Sequence, residues 1–361
     1  MIRVLICDDS ALMRRTLKKI ISDDPALEVA GTARDGDDAV LKARDLMPDV
    51  VTMDINMPGM DGITAMQYII DEDIAPVLMV SSLTQEGAET TFEALALGAF
   101  DFVGKPGGTV SMDMSSVSRD IVDKLKAACG KGTQSRLKQK RKPTRTRTST
   151  QRVVSTKKSK PRETTRRTRT AHGFKAVAIG ISTGGPKTIF DVLPYLPADL
   201  NAAIFLTQHM PPTFTKTFAQ RIDKNCALSC VEAEAGTTVE PGTIYLARGG
   251  MHLCLRKNLK GNIVIRTPKK PETQFIPGVD VMMESVLNVF GKDTVGVEMT
   301  GMGNDGAAAM LQIKESGGIT IAESEETAIV FGMPQVAIEL GGVDIVVPSY
   351  EIADEIIKAV A

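Results

Sequence analysis

Val4-Leu5-Ile6-Cys7-Asp8-Asp9-Ser10 is an apolar run that ends abruptly in two carboxylates and a hydroxyl, and Ala11 to Ile21 follows with apolar residues at helical spacing. A buried strand leading into an amphipathic helix decides the fold because it recurs. The alternation returns at Val29 to Ala33, Val50 to Met53, Val77 to Val80 and Phe100 to Val103, each followed by helical spacing such as Ala88 to Leu97. Five such units predict an α/β domain with a doubly wound, five-stranded parallel sheet, whose ligands gather at the carboxyl ends of the strands.

Polar residues fall at those ends. Asp8 and Asp9 close the first strand, Asp54 closes the third, and Ser81 and Lys105 follow the fourth and fifth. Loop polarity accounts for any one of them but poorly for the set. Three converging carboxylates repel one another, so a divalent cation with oxygen ligands is their natural companion, with Mg²⁺ the expected ion. A lysine and a hydroxyl beside them suit a phosphoryl group carried on one carboxylate.

Charge divides the rest of the chain. Its 361 residues sum to −1, yet residues 1 to 130 carry −10, residues 131 to 170 carry +15, and residues 171 to 361 carry −6. Two acidic domains joined by a basic segment are therefore expected, and a nearly neutral single globule is excluded. Between Lys131 and Thr170 stand 14 Ser or Thr and only three strongly apolar residues, Leu137, Val153 and Val154. Such a stretch cannot bury enough surface to offset its ordering entropy, so it reads as a solvated linker. An electrostatic contact with an acidic partner or a nucleic-acid arm stays open, although no aromatic is interleaved to stack on bases. The acidic carboxyl-terminal part shows no evident helix-turn-helix, which argues against a DNA-binding regulator. No secretory signal is evident and no apolar run approaches the roughly 18 residues of a membrane span, so a cytoplasmic protein is expected. Five cysteines without a CxxC pair argue against a disulfide scaffold or a zinc module, leaving Cys226, Cys230, His252 and Cys254 as a loose metal set at most.

After the linker, the apolar run Lys175 to Ile179 leads into Gly180-Ile181-Ser182-Thr183-Gly184-Gly185-Pro186 and then a helical stretch. A serine among glycines at a strand-to-helix turn can be a nucleophile, part of a phosphate loop or a structural turn, and the motif alone leaves all three open. Of three histidines, His172 lies at the linker edge and His252 sits in a strand-like alternation. His209 follows the apolar run Ala202 to Leu206, at a second strand end where a general base would stand. Asp305, in Gly301-Met302-Gly303-Asn304-Asp305-Gly306 after the run Thr294 to Met299, is a helix N-cap or the carboxylate that orients the histidine. Three strand-end turns thus present Ser182, His209 and Asp305. Their order along the chain differs from that of the α/β-hydrolases, which points to a different hydrolase fold.

Two resemblances cover nearly the whole chain. Leu5 to Ser10, Met53-Asp54-Ile55-Asn56-Met57-Pro58-Gly59-Met60-Asp61-Gly62, Ser81 and Lys105-Pro106 closely resemble the receiver domain of two-component response regulators. That resemblance implies that Asp54 accepts a phosphoryl group from a CheA-type histidine kinase, with Asp8, Asp9, Asp54 and the Asn56 carbonyl around Mg²⁺. It further implies that Ser81 and Lys105 contact the phosphate and that Phe102 changes rotamer with it. Gly180 to Pro186, Gln208-His209-Met210, Gly301 to Gly306 and Gly332-Met333-Pro334 resemble the catalytic domain of the chemotaxis protein-glutamate methylesterases, the CheB family. By this resemblance residues 1–130 are the receiver, 131–172 the linker, and 173–361 a larger α/β methylesterase domain with a mainly parallel sheet. Ser182 would be the nucleophile, His209 the general base and Asp305 its orienting carboxylate, with support from Thr183 and an oxyanion site at the Met302 N–H.

The implied reaction is hydrolysis of glutamyl methyl esters on methyl-accepting chemotaxis receptors, with glutamine deamidation beside it and no cofactor for the ester step. Contact with the membrane would be peripheral, through the receptors, and no nucleic acid is expected. Ile181 stands where a small residue is expected, Gly278 where the family tends to have serine, and the linker is longer and more basic than the resemblance requires.

Overall fold

The computed structural model describes residues 1–82, 84–105, 114–130 and 172–361, so Pro106 and nearly all of the expected 131–172 linker lie outside the described residues. Five strands form the first sheet: β1 (Ile2–Cys7), β2 (Leu27–Ala33), β3 (Val50–Asp54), β4 (Val77–Ser81) and β5 (Asp101–Gly104). They are all parallel in the order β2-β1-β3-β4-β5. Helices alternate with them, and the four that follow β1 to β4 each begin on a side-chain cap. Ser10, Asp35, Asp61 and Thr84 accept the N–H three residues on, which satisfies one of the open donors of the first turn. Alternate strand residues feed opposite faces. Leu5, Val51 and Met53 pack on one side, and Val4, Ile6, Val50, Leu78 and Val80 pack with Leu17 and Ile121 on the other.

The second sheet has seven strands: β6 (Lys175–Ile181), β7 (Ala202–Gln208), β8 (Ser229–Glu232), β9 (Thr243–Leu246), β12 (Thr294–Glu298), β13 (Ile319–Glu323) and β14 (Ile345–Val347). Between β9 and β12 in the chain, β10 (Cys254–Lys257) and β11 (Ile263–Arg266) form a separate antiparallel pair. The order β14-β13-β12-β6-β7-β9-β8 is parallel throughout and reverses direction beside β6, the switch point where such sheets open a crevice.

Two details depart from the sequence expectation. Strand β7 runs two residues past the apolar run, to Gln208, because the polar end of the strand is buried and its amide is used. The helix after Ser182 is only Gly185–Thr188, followed by 3₁₀ turns over Ile189–Asp191 and Leu193–Tyr195. A four-residue helix sums few peptide dipoles, so its positive end contributes little charge at the serine turn.

The two units share one hydrophobic cluster. Phe92 stacks on Phe218 with centroids 5.3 Å apart, and Phe102 of β5 stacks on Phe214 at 4.7 Å. Phe214 lies in the first turn of helix Pro212–Asn225, five residues beyond His209.

Candidate active site

Strands β12, β6 and β7 are neighbours, and the turns that follow them carry Asp305, Ser182 and His209. Ser182 Oγ lies 3.0 Å from His209 Nδ1, and His209 Nε2 lies 2.8 Å from Asp305 Oδ2. An ionised carboxylate only accepts, so Nε2 carries the proton and Nδ1 is left to accept from the serine hydroxyl. The ring is used in the opposite sense to the serine-protease template, in which Nε2 faces the serine.

Asp305 is held from a second side. Its Oδ2 accepts the Val279 N–H at 2.8 Å and its Oδ1 the Asp280 N–H at 2.9 Å, both from the first turn of helix Val279–Phe290. Burial pushes the Asp305 carboxyl up, but the His209 hydrogen bond and charge and these two N–H groups outweigh it and leave it below the ordinary value. The carboxylate is therefore fixed in charge and in orientation.

The serine turn is tied on every side. The Ser182 N–H donates to the Thr300 carbonyl at 2.9 Å, and the Gln208 amide donates to the carbonyls of both Ser182 and His209 at 3.0 Å. Glycine at 185 leaves Gln208 its place, since a Cβ there would fall 2.3 Å from Gln208 Oε1 and displace it. Thr183 is buried, and its carbonyl accepts the Thr300 hydroxyl at 2.9 Å. The N–H groups of Gly332 and Met333 hold the Gly301 carbonyl at 3.1 and 2.9 Å, which fixes the loop entering Met302 and gives the Gly332-Met333-Pro334 run its local purpose.

The first unit reaches this turn. Asp101, buried at the start of β5, accepts a long hydrogen bond of 3.4 Å from the Gly184 N–H. Its carboxylate is 3.6 Å from the Lys124 ammonium, which also donates to the Phe102 carbonyl at 2.7 Å. Ser182 itself is only 7% exposed.

At the carboxyl end of the first sheet, Asp8, Asp9 and Asp54 each offer an oxygen within 4.8 Å of the others. The Lys105 ammonium lies 2.7 Å from Asp54 Oδ2 and 3.1 Å from Asp8 Oδ2. Burial raises the Asp54 carboxyl above its ordinary value even though Lys105 opposes the shift. Three carboxylates around one ammonium leave an oxygen-rich, negatively charged pocket that fits a hard divalent cation. The Ser81 hydroxyl accepts from the Thr91 hydroxyl at 2.8 Å and donates to the Gly87 carbonyl at 3.3 Å. Asn56 is exposed beside the cluster.

Residues 177–356 match the family model described as CheB methylesterase, and residues 4–113 match that of the response regulator receiver domain. A protein from Syntrophomonas wolfei named protein-glutamate methylesterase/protein-glutamine glutaminase 3 is 58% identical over all of this chain and 99% of its own. The chain belongs to the CheB methylesterase family. A Caldanaerobacter subterraneus member with the same enzyme name is 49% identical over 99% of this chain and 96% of its own. The crystal structure of the Thermotoga maritima CheB methylesterase catalytic domain is 40% identical, with a TM-score of 0.51, and covers 52% of this chain and 99% of its own.

Sequence reasoning overlooked several residues around this CheB-type site. Asp280 Oδ1 accepts the Ala309 N–H at 2.9 Å and so ties the two helix starts flanking Asp305; its place directly after Pro277-Gly278-Val279 was the available signal. Phe275 stacks on His209 with centroids 4.2 Å apart and planes at 14°, a contact that nothing local in the sequence announces. Glu298 ends β12 fully buried, and neither of its carboxyl oxygens has a hydrogen-bond partner among the described residues.

The loose metal set is not assembled. Both ring nitrogens of His252 are taken by backbone groups, burial pushes the Cys226 thiol up to about 11, and burial raises Cys230 as well. His252 precedes β10 and is not part of it, whereas Cys254 is a strand residue. Among the described residues no helix is long and apolar enough to cross a membrane.

Proposed function

We propose that this chain is a phosphorylation-regulated protein-glutamate methylesterase and glutaminase acting on chemoreceptors, with the division 1–130, 131–172 and 173–361 into receiver, linker and catalytic domain. The observation that carries the reading is the unbroken hydrogen-bond chain from Ser182 Oγ through His209 to Asp305 Oδ2. His209 Nδ1 takes the hydroxyl proton as Ser182 Oγ attacks the ester carbonyl carbon. The tetrahedral oxyanion forms beside the Met302 N–H, on a loop whose Gly301 would bring a Cβ within 2.9 Å of Ser182 Cβ. Collapse breaks the bond to methoxide, which leaves as methanol with the proton held on Nδ1. Water then repeats the sequence on the acyl-enzyme and releases the free glutamate. With a glutamine the leaving group is ammonia. Asp305 holds the imidazolium throughout, and Thr183 supports the turn through its bond with Thr300.

In the receiver, Asp54 is the phosphoacceptor for a CheA-type histidine kinase, and Asp8, Asp9, Asp54 and the Asn56 carbonyl would hold Mg²⁺. The cation supplies charge neutralisation for an incoming phosphoryl group. Lys105 is already at hydrogen-bond distance from Asp54, while Ser81 has to leave Thr91 to reach the phosphate. That exchange frees the space into which Phe102 turns, away from Phe214 and off the catalytic domain, shifting a two-state equilibrium toward an open site. The receptors are membrane-embedded, so the enzyme meets the membrane only through them.

Methanol release from methylated receptor membranes tests both halves. Wild type should respond to a small-molecule phosphodonor, Asp54→Ala should show basal release without the response, and Ser182→Ala should release none. Normal demethylation by Ser182→Ala would sink the assignment.

A further inference from the structure

His252 is fully buried and plays no part in the chemistry above, yet both faces of its ring edge are committed. Gly278 donates its N–H to Nδ1 at 3.1 Å, so Nδ1 is an acceptor and the ring is neutral. Nε2 is then the protonated nitrogen, donating to the Pro271 carbonyl at 2.8 Å. The His252 main chain adds a third tie, its N–H to the Pro268 carbonyl at 2.8 Å. The side chain therefore clamps the segment 271–278 at both ends, and the backbone of the same residue ties position 268.

That segment delivers two things to the active site. Phe275 lies flat against His209. At its end, three consecutive N–H groups are divided between two acceptors: Gly278 goes to His252 Nδ1, Val279 to Asp305 Oδ2 and Asp280 to Asp305 Oδ1. These N–H groups belong to consecutive peptides at the start of helix Val279–Phe290, so a shift of the Gly278 peptide is separated from the two that meet the Asp305 carboxylate by only the dihedrals of Gly278 and Val279.

We propose that His252 is a positioning residue for the Ser182, His209 and Asp305 chain, acting as the Nε2-protonated tautomer that sets the peptide planes holding Asp305 and the ring covering His209. The proposal rests on the methylesterase reading above. Its consequence is confined to the orientation of the base, so it reduces turnover and leaves substrate binding nearly untouched. A displacement of the order of 1 Å at such a site costs up to about 100-fold in rate.

The test uses the full-length enzyme with His252→Asn, whose side-chain carbonyl keeps an acceptor near Nδ1, and His252→Gln, which keeps a donor near Nε2. Methanol release gives kcat and KM, and labelling with a fluorophosphonate counts reactive Ser182, so rates are expressed per intact site and partial misfolding does not enter. His252→Gln should lose roughly tenfold or more in kcat per titratable serine with KM within about twofold, and His252→Asn should recover most of that loss. A wild-type kcat in His252→Gln, or equal losses in both variants, would overturn the proposal. Ser182→Ala run alongside keeps the two readings apart: labelling or turnover there refutes the nucleophile assignment, whatever the His252 variants do.

Discussion

Replacing Glu298 by Gln should make the protein progressively more stable than wild type as pH rises. Glu298 ends β12 at 0% exposure, its carboxyl pressed between Gly180 and Gly306; a Cβ on Gly306 would lie 2.2 Å from Oε2. Ionising it there would strand a charge without partners, so burial holds the carboxyl well above its ordinary value of 4.5, and the nearby charges of Asp305 and Asp280 push the same way. The folded state therefore keeps a proton that the unfolded chain releases above about pH 4.5. More protons bound in the folded state means that stability is full below the unfolded value and falls as pH rises, by about 1.4 kcal/mol per unit, until the buried acid itself ionises. Between pH 5 and pH 7 that slope bounds the loss at about 3 kcal/mol.

Glutamine does not titrate, and its own unmet amide hydrogen bonds impose an offset that does not change with pH. The gap between Glu298→Gln and wild type should thus widen from pH 5 to pH 7, up to a bound of about 3 kcal/mol, with all other titrations cancelling. Urea unfolding followed by circular dichroism at pH 5, 6 and 7, using the transition of the catalytic domain, measures it. A gap constant to within about 0.5 kcal/mol, or one that narrows, would refute the reasoning by showing that Glu298 is charged in the fold.

Three further outcomes follow from the same geometry. Gly185→Ala should push Gln208 off the Ser182 and His209 carbonyls and lower kcat by about 10- to 100-fold, read as methanol release per titratable serine. Asp101→Asn weakens the receiver's hold on the Gly184 N–H by about 1 kcal/mol, so unphosphorylated activity should rise roughly fivefold and the stimulation by phosphodonor should shrink; unchanged basal activity would show that this contact does not restrain the enzyme. A chelator should abolish stimulation by phosphodonor through the Asp8, Asp9 and Asp54 cluster while leaving basal methanol release intact, since Ser182, His209 and Asp305 need no metal.

The strands and the turns after them were legible because they are local. An apolar run of five or six residues ending in Asp8, Asp54 or Ser182 carries both the secondary structure and the position of the polar group at the strand's end. Glycines 180, 184 and 185 make the turn around Ser182 visible in the sequence, and a Cβ on any of them would meet a neighbour at 2.3 to 2.7 Å. Gln208 carries no local signal beyond its place beside His209, because nothing in a one-dimensional pattern distinguishes a polar strand end facing water from one turned inward to cap two carbonyls. His252 looked like one member of a weak cysteine cluster; its partners at 268, 271 and 278 are separated from it by a hairpin.

By itself the sequence determined two α/β units, the residues at their strand ends and the chemistry those residue types can perform, because periodicity and glycine turns are short-range consequences of backbone geometry. Only the tertiary structure decided which nitrogen of His209 faces Ser182, which peptides hold Asp305 and how the receiver seats Asp101 and Phe102 against the catalytic domain. Those facts depend on segments far apart in the chain meeting at distances of about 3 Å, and a hydrogen bond is specified by position and angle, which residue identity alone does not carry.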